Sequence, residues 1–273
     1  MSRIAMAVEY DGTAFYGWQI QKDGRDVQSC VERALSVVAN EPVKAVCAGR
    51  TDSGVHAIGQ VIHFDTSARR GERSWVLGVN SNLPDDVNAT WARLVAPDFH
   101  ARFSARRRTY RYLIVNRRVR SSLLRDRACW IHRPLDADLM QRAATYLLGE
   151  HDFSSFRAAN CQANTATRTI HQLDVVRQHD FIWLTICANA FLQHMVRNIA
   201  GALIKVGLAE RDPGWMGEVL RQRDRKRAGV TAPPEGLYFT AVAYPPEFGL
   251  PGNEVVAAVP DSFIMPLPCL LYT

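Results

Sequence analysis

Lysine is scarce in this chain. Of its 33 basic residues 29 are arginine, and only Lys22, Lys44, Lys205 and Lys226 are lysine. Paired cysteines are also missing. The six cysteines (Cys30, Cys47, Cys129, Cys161, Cys187, Cys269) show no CxxC spacing, and several stand in apolar runs. Free buried thiols in a reducing compartment are expected, not a disulfide framework. The eight histidines form no HxxxH or HExxH, so spacing supports no metal site. The longest apolar helix candidate, Ile199 to Ala209, contains Lys205 and falls far short of a membrane span of about 20 residues. The first residues hold no uninterrupted apolar run of the kind a secretory signal needs. A cytoplasmic chain without a membrane partner is the expectation. Disorder is excluded by 47% apolar and 22% charged residues, and 273 residues suffice for one large domain or two ordinary ones.

What is abundant is local. Residues 101–133 hold eleven arginines against one acid, Asp126, a net of +10 in a chain whose total is +6. A basic stretch inside a mildly acidic remainder points to an anionic partner held at one place. The run RQRDRKR at 221–227 adds a net +4, which alone is the pattern of a solvated helix end.

Periodicity lays out two similar halves. RIAMAVEY (3–10) alternates as a strand. Asp26 can cap a helix whose apolar face is Val27, Val31, Leu35 and Val38, and Pro42 ends it. Val43–Ala48, 59–66 and 88–95 are strand-like, and 74–83 is helical. After a short connector the order repeats: a strand at 107–115, a helix at 136–148 closed by Gly149, a strand pair at 168–177 and 181–188, a helix at 191–208, a further helix at 215–223, and a last strand at 236–244. The order β-α-β-β-α-β, met twice, predicts an α+β chain of two split-βαβ units divided at 1–105 and 106–246. Residues 247–273 lack a clear period and are expected to be an irregular tail.

Three segments could carry chemistry. In Gly49-Arg50-Thr51-Asp52-Ser53-Gly54-Val55-His56-Ala57 two glycines bracket a carboxylate, with a cation two residues before it. A carboxylate on such a turn can act as nucleophile or base. The same residues could form a plain Asx turn. Asp52-Ser53-Gly54 is also the aspartic-protease triplet, but that chemistry needs two such carboxylates, and no second DSG or DTG occurs. In RRRTYRY (106–112), Tyr110 and Tyr112 share strand parity with Arg106 and Arg108. Arginine meets phosphate and aromatic rings stack on unpaired bases, which fits a single-stranded RNA surface. A half-buried edge strand with solvated arginines fits equally. In FLQHMVRN (191–198), Arg197 is a charge in core-like surroundings and requires a partner, while His194 reads as a polar residue on the helix face.

Taken together, EYDGTAFYGWQ (9–19), AGRTDSGVHA (48–57), FHARFSARRRTYRY (99–112), DFSSF (152–156), ANAFLQHMVRN (188–198) and EGLYF (235–239) occur in an order that resembles the tRNA pseudouridine synthase A family. The resemblance covers about residues 4–246. It implies two ferredoxin-like halves whose antiparallel sheets join around a central cleft, and a homodimer. It implies isomerisation of uridine to pseudouridine at positions 38, 39 and 40 of the tRNA anticodon arm, with no cofactor and no metal. Asp52 matches the family's essential aspartate and Tyr110 the tyrosine set against the target base. Arg197 matches the arginine that pairs with the aspartate, and Arg50 the one that fills the space left by the flipped nucleotide. Arg106 and Arg108 are expected to track phosphates. Thr109 departs from the family, where a basic residue is common, and the tail from Glu247 has no counterpart. The rival reading is a non-catalytic RNA-binding protein of two RRM-like units, but the chain lacks the G-F/Y-G/A-F-V-x-F/Y signature.

Overall fold

The last strand in the chain holds the sheet together. In the computed structural model, which describes residues 1–251 apart from Asp23, ten strands and five α-helices are found among the described residues. The strands are β1 (Ser2–Tyr10), β2 (Val46–Cys47), β3 (His56–Thr66), β4 (Val87–Val95), β5 (Arg107–Asn116), β6 (Cys129–Ile131), β7 (Gly149–Asp152), β8 (Thr167–Gln178), β9 (Phe181–Ala188) and β10 (Leu237–Ala243). The helices are α1 (Val27–Ala39), α2 (Glu72–Asn80), α3 (Ala137–Ala144), α4 (Met195–Gly207) and α5 (Trp215–Gln222). The main path of the sheet runs β4-β1-β3-β10-β5-β9-β8-β7, with β2 on β3 and β6 on β5. β10 lies parallel to β3 (Tyr238 beside His56, Phe239 beside Ala57) and antiparallel to β5. The two expected sheets are therefore one, joined by β10. The joint is tight: a Cβ on Gly59 would stand 2.1 Å from the Thr240 carbonyl oxygen, so only glycine fits there.

Local rules explain most elements. Asp26 caps α1 by accepting from the Ser29 N–H at 2.7 Å, and Asn40 ends it in the left-handed region at φ 56°. Asp136 caps α3 in the same way, through the Leu139 N–H. The expected helix over 136–148 is shorter, because a 3-10 turn takes over at Thr145–Leu147. β5 alternates as read: Tyr110, Tyr112 and Ile114 enter the main core beneath the helices, while Leu113 and Val115 join a second cluster with Trp183 and Tyr238.

Three readings need correction. Val43–Ala48 is not a strand except at Val46 and Cys47. The Val43 and Ala45 N–H groups instead donate to the side chains of Ser36 and Glu32. The edge-strand reading of β5 fails, since β10 and β9 flank it. The helix expected from Phe191 starts at Met195, because His194 takes a left-handed φ of 61°. β6 and β7, of three and four residues, carry too little pattern to be read locally. The tail expected over 247–273 lies outside the described residues from 252 onward, as does Cys269. The other five cysteines are free, and all but Cys161 are buried.

Candidate active site

Asp52 stands on the turn that leads into β3, and the EYDGTAFYGWQ segment builds its support. Tyr10 Oη and Thr51 Oγ1 are 2.8 Å apart, and the Trp18 N–H donates to the Thr51 carbonyl at 3.0 Å. Gly17 makes that contact possible. Its φ is +96°, and a Cβ there would lie 2.6 Å from the Thr51 oxygen. Ser53 Oγ and the Gly54 N–H both donate to the Phe15 carbonyl at 3.3 Å. The Val55 N–H closes the turn on the Asp52 carbonyl. Gln60 holds the other end by bonding both backbone groups of Gly49.

Two cationic or ionisable groups from the start of α4 face the Asp52 carboxylate. Arg197 Nη1 is 3.8 Å from Asp52 Oδ2, and Arg197 Nε is anchored by the Ala232 carbonyl at 2.8 Å. His194 Nε2 is 3.4 Å from the same oxygen. The three side chains remain partly open to solvent, Asp52 at 32% and Arg197 at 15%. His194 is thus no plain helix-face residue. It is the non-glycine residue that caps α4 in a left-handed conformation, which is strained for an L side chain. Helical spacing does not reveal this role, because His194 stands outside α4 and reaches Asp52 through its left-handed backbone.

Tyr110 lies behind this pair. Its ring packs on Phe239 at 4.7 Å and meets the edge of Phe191 at 5.0 Å. Its hydroxyl faces Gly49, where a Cβ would stand 3.7 Å away. Burial pushes its phenol pKa well above the ordinary value. Tyr112, expected to share an RNA surface with it, is fully buried and donates to the Pro233 carbonyl. Side chains of this strand parity enter a core, so the Tyr110–Tyr112 pair is not an open stacking surface.

The arginine-rich stretch divides by function. Arg108 gives its guanidinium to backbone carbonyls: Ala48 at 3.1 Å, Arg102 at 2.6 Å and Asn189 at 2.9 Å. It therefore braces three loops around the site and has little left for a phosphate. Arg127 binds Asp11 at 2.7 Å. Asp11 also stands 3.2 Å from His56 Nδ1, and this neighbour more than any other holds its carboxyl far below the usual range. His56 stacks on Tyr238 at 4.7 Å and meets the Asp126 carbonyl through Nε2. This cluster ties the 117–127 segment to the end of the Asp52 loop. Arg111 lies over Trp183. Arg50, Arg106, Arg107, Arg118 and Arg120 are exposed, and no side-chain ion pair is formed by them among the described residues.

Among the described residues no group of three or more His, Cys, Asp or Glu could hold a metal ion, and no helix is long and apolar enough to cross a membrane. A family profile described as tRNA pseudouridine synthase matches residues 6–104 and 143–245. The protein named tRNA pseudouridine synthase A of Methylococcus capsulatus is 55% identical over 258 residues, covering 94% of this chain and 95% of that one. Its namesake in Coxiella burnetii is 53% identical over 251 residues, covering 92% and 96%. A chain of the solved Cbf5–Nop10–Gar1 complex is similar over 73% of this chain and 54% of its own, at 11% identity and a TM-score of 0.33, which adds nothing to the strand order. With a shared profile over both halves and relatives above half identity along nearly the whole length, the chain belongs to the tRNA pseudouridine synthase family, a family of isomerases.

Proposed function

We propose that this protein isomerises uridine to pseudouridine at positions 38, 39 and 40 in the anticodon arm of tRNA, with Asp52 as the nucleophile. The observation that carries the reading is the Asp52 carboxylate, set on a braced turn, partly open to solvent and faced by Arg197 and His194. The reaction breaks N1–C1′, turns the uracil, and forms C5–C1′. C5 gives up a proton and N1 gains one, so atoms balance without a co-substrate. A carboxylate serves by adding to C6 of the base or by displacing the uracil at C1′, and in either route it departs unchanged.

Tyr110 keeps its proton, since burial raises its pKa. Its ring is suited to stack on the uracil, and its raised pKa disfavours a standing phenolate as the base for the C5 proton. For a base to reach that ring, the half-buried Phe191 edge must give way, because Phe239 is fully buried. A stem uridine must leave its stack at a cost of a few kcal/mol. The exposed Arg50, two residues before Asp52, is suited to fill the space it leaves. Arg106 supplies a free cation for phosphate, while Arg108 acts by bracing. In this reading the enzyme works in the cytoplasm as a homodimer, with a division at 105/106 between two ferredoxin-like halves and an anticodon arm as its RNA partner. These points rest on the motif resemblance.

The test is tritium release from C5-labelled tRNA. Asp52→Asn and Asp52→Ala should release none while still binding tRNA. A fully active Asp52→Ala would remove the nucleophile assignment. Intact tRNA binding without release by the unaltered protein would favour a non-catalytic RNA-binding protein.

A further inference from the structure

A phenyl ring stands almost fully exposed beside the site on a turn that has no freedom to hide it. Phe103 is 75% exposed. A lone exposed apolar residue is ordinary, but the turn carrying this one is bonded throughout. The His100 N–H donates to Ser104 Oγ at 3.0 Å, and the Ser104 N–H returns to the His100 carbonyl at 2.9 Å. The N–H groups of Arg102 and Phe103 both point at His100 Nδ1, each at 3.2 Å. The Ala101 N–H donates to His63 Nδ1, and Tyr244 Oη donates to the Ala101 carbonyl. Beneath the turn, Phe99 is fully buried against Tyr244 and Phe248. The His100 ring lies against Phe103 at 4.3 Å and 31°, and the Arg102 guanidinium lies 5.5 Å from its centroid.

The turn is also locked to the Asp52 loop. A single nitrogen, Arg108 Nη2, donates to the carbonyls of both Arg102 and Ala48. Ala48 opens the segment that carries Arg50 and Asp52. Arg108 shares strand parity with Tyr110, so the turn that carries Phe103 is bonded to a side chain two residues from Tyr110 on the same face of β5. The exposed Arg106 and Arg107 follow Phe103 in the chain at the start of β5, and the exposed Arg50 lies two residues beyond Ala48; none of the three forms a side-chain ion pair among the described residues.

We propose that Phe103 is a stacking platform for an unpaired nucleobase of the RNA next to the reacting uridine, with the neighbouring arginines taking the flanking phosphates. The proposal rests on the RNA-isomerase reading above. A ring carried on a bonded turn and backed by His100 loses little conformational freedom when a base stacks on it, and every base offers a π-face. The cationic fringe selects a polyanion: an apolar protein surface would have to bury or displace those charges.

The test compares Phe103→Ala with Phe103→Tyr and Phe103→Trp. Alanine should weaken tRNA affinity and raise KM roughly 5- to 100-fold, the worth of one base–aromatic stack, with kcat at saturating tRNA within about twofold. Tyrosine and tryptophan should restore the affinity. Phe103 is exposed, so the thermal midpoint should not move in any variant. Unchanged tRNA affinity in an active Phe103→Ala enzyme overturns the platform and leaves the isomerase reading intact. Affinity lost together with a drop in solution mass also overturns it, since the ring would then be a contact between two copies. An unaltered protein that neither binds nor modifies tRNA removes the underlying reading instead.

Discussion

Arg197 reaches Asp52 with one end of its guanidinium while the other end is tethered: Nη1 is 3.8 Å from Asp52 Oδ2, and Nε donates to the Ala232 carbonyl at 2.8 Å. The fork does two jobs that a point charge on a flexible stem does not combine. Arg197→Lys should therefore lower kcat by about 10²-fold, the order seen when a preorganised charge partner is lost. Rapid-quench single-turnover kinetics would measure this. Wild-type turnover in the lysine variant would mean that charge alone suffices.

His194 pays for its position with backbone strain, at a left-handed φ of 61°. Glycine accepts that conformation freely. His194→Gly should be at least as stable as the parent, by up to about 1 kcal/mol, and yet slower by roughly tenfold. Urea unfolding and tritium release on the same preparation give both values. A variant that is less stable and equally active would show that the imidazole serves the fold and not the reaction.

Arg106 and Arg108 sit two residues apart and should fail in different ways. Arg108→Met strips donors from the Ala48, Arg102 and Asn189 carbonyls and should cost about 2–3 kcal/mol of stability. Arg106→Met should leave stability alone and weaken tRNA binding. It should also reduce the slope of log affinity against log salt by about 1. Equal salt slopes for Arg106→Met and the parent would take Arg106 off the phosphate path.

His63 sets an acid limit. Burial pulls its pKa down to about 4 from an ordinary 6.5. Between those values the unfolded chain holds the extra proton, so stability is full above about pH 6.5 and declines as pH falls toward 4. The loss approaches about 3 kcal/mol at most. His63→Gln keeps an acceptor for the Ala101 N–H and removes the titration. Its urea midpoint should fall less than the parent's over the same range, the remaining fall coming from His100 and His171, whose pKa values burial also lowers.

Much of the site was legible because its signals are local. Asp26 and Asp136 announce helix starts with their own side chains, and the alternation from Tyr110 to Val115 sorts two faces of one strand. The glycines around Asp52 mark a turn. What stayed hidden is what only distant chain segments determine. No pattern near Arg108 reveals that the carbonyls of Ala48 and Asn189 will surround it. Parity placed Tyr112 beside Tyr110 correctly, but whether that face meets water or a core depends on helices elsewhere in the chain. The insertion of β10 between β3 and β5 is invisible for the same reason: its partners lie more than a hundred residues upstream.

That insertion has a consequence during synthesis. Until residues 237–243 have left the ribosome, β3 and β5 each lack the strand that joins them, and only side-chain contacts such as that of Arg108 with the Ala48 carbonyl relate the Asp52 turn to Tyr110. The earlier strands can pair within their own halves, so the nascent chain holds two partly formed sheets with open flanks exposed to wrong partners. Isomerase competence should then arrive in a single late step, when the final strand slides into its slot, and a ribosome stalled before that point should carry an inert chain prone to aggregate.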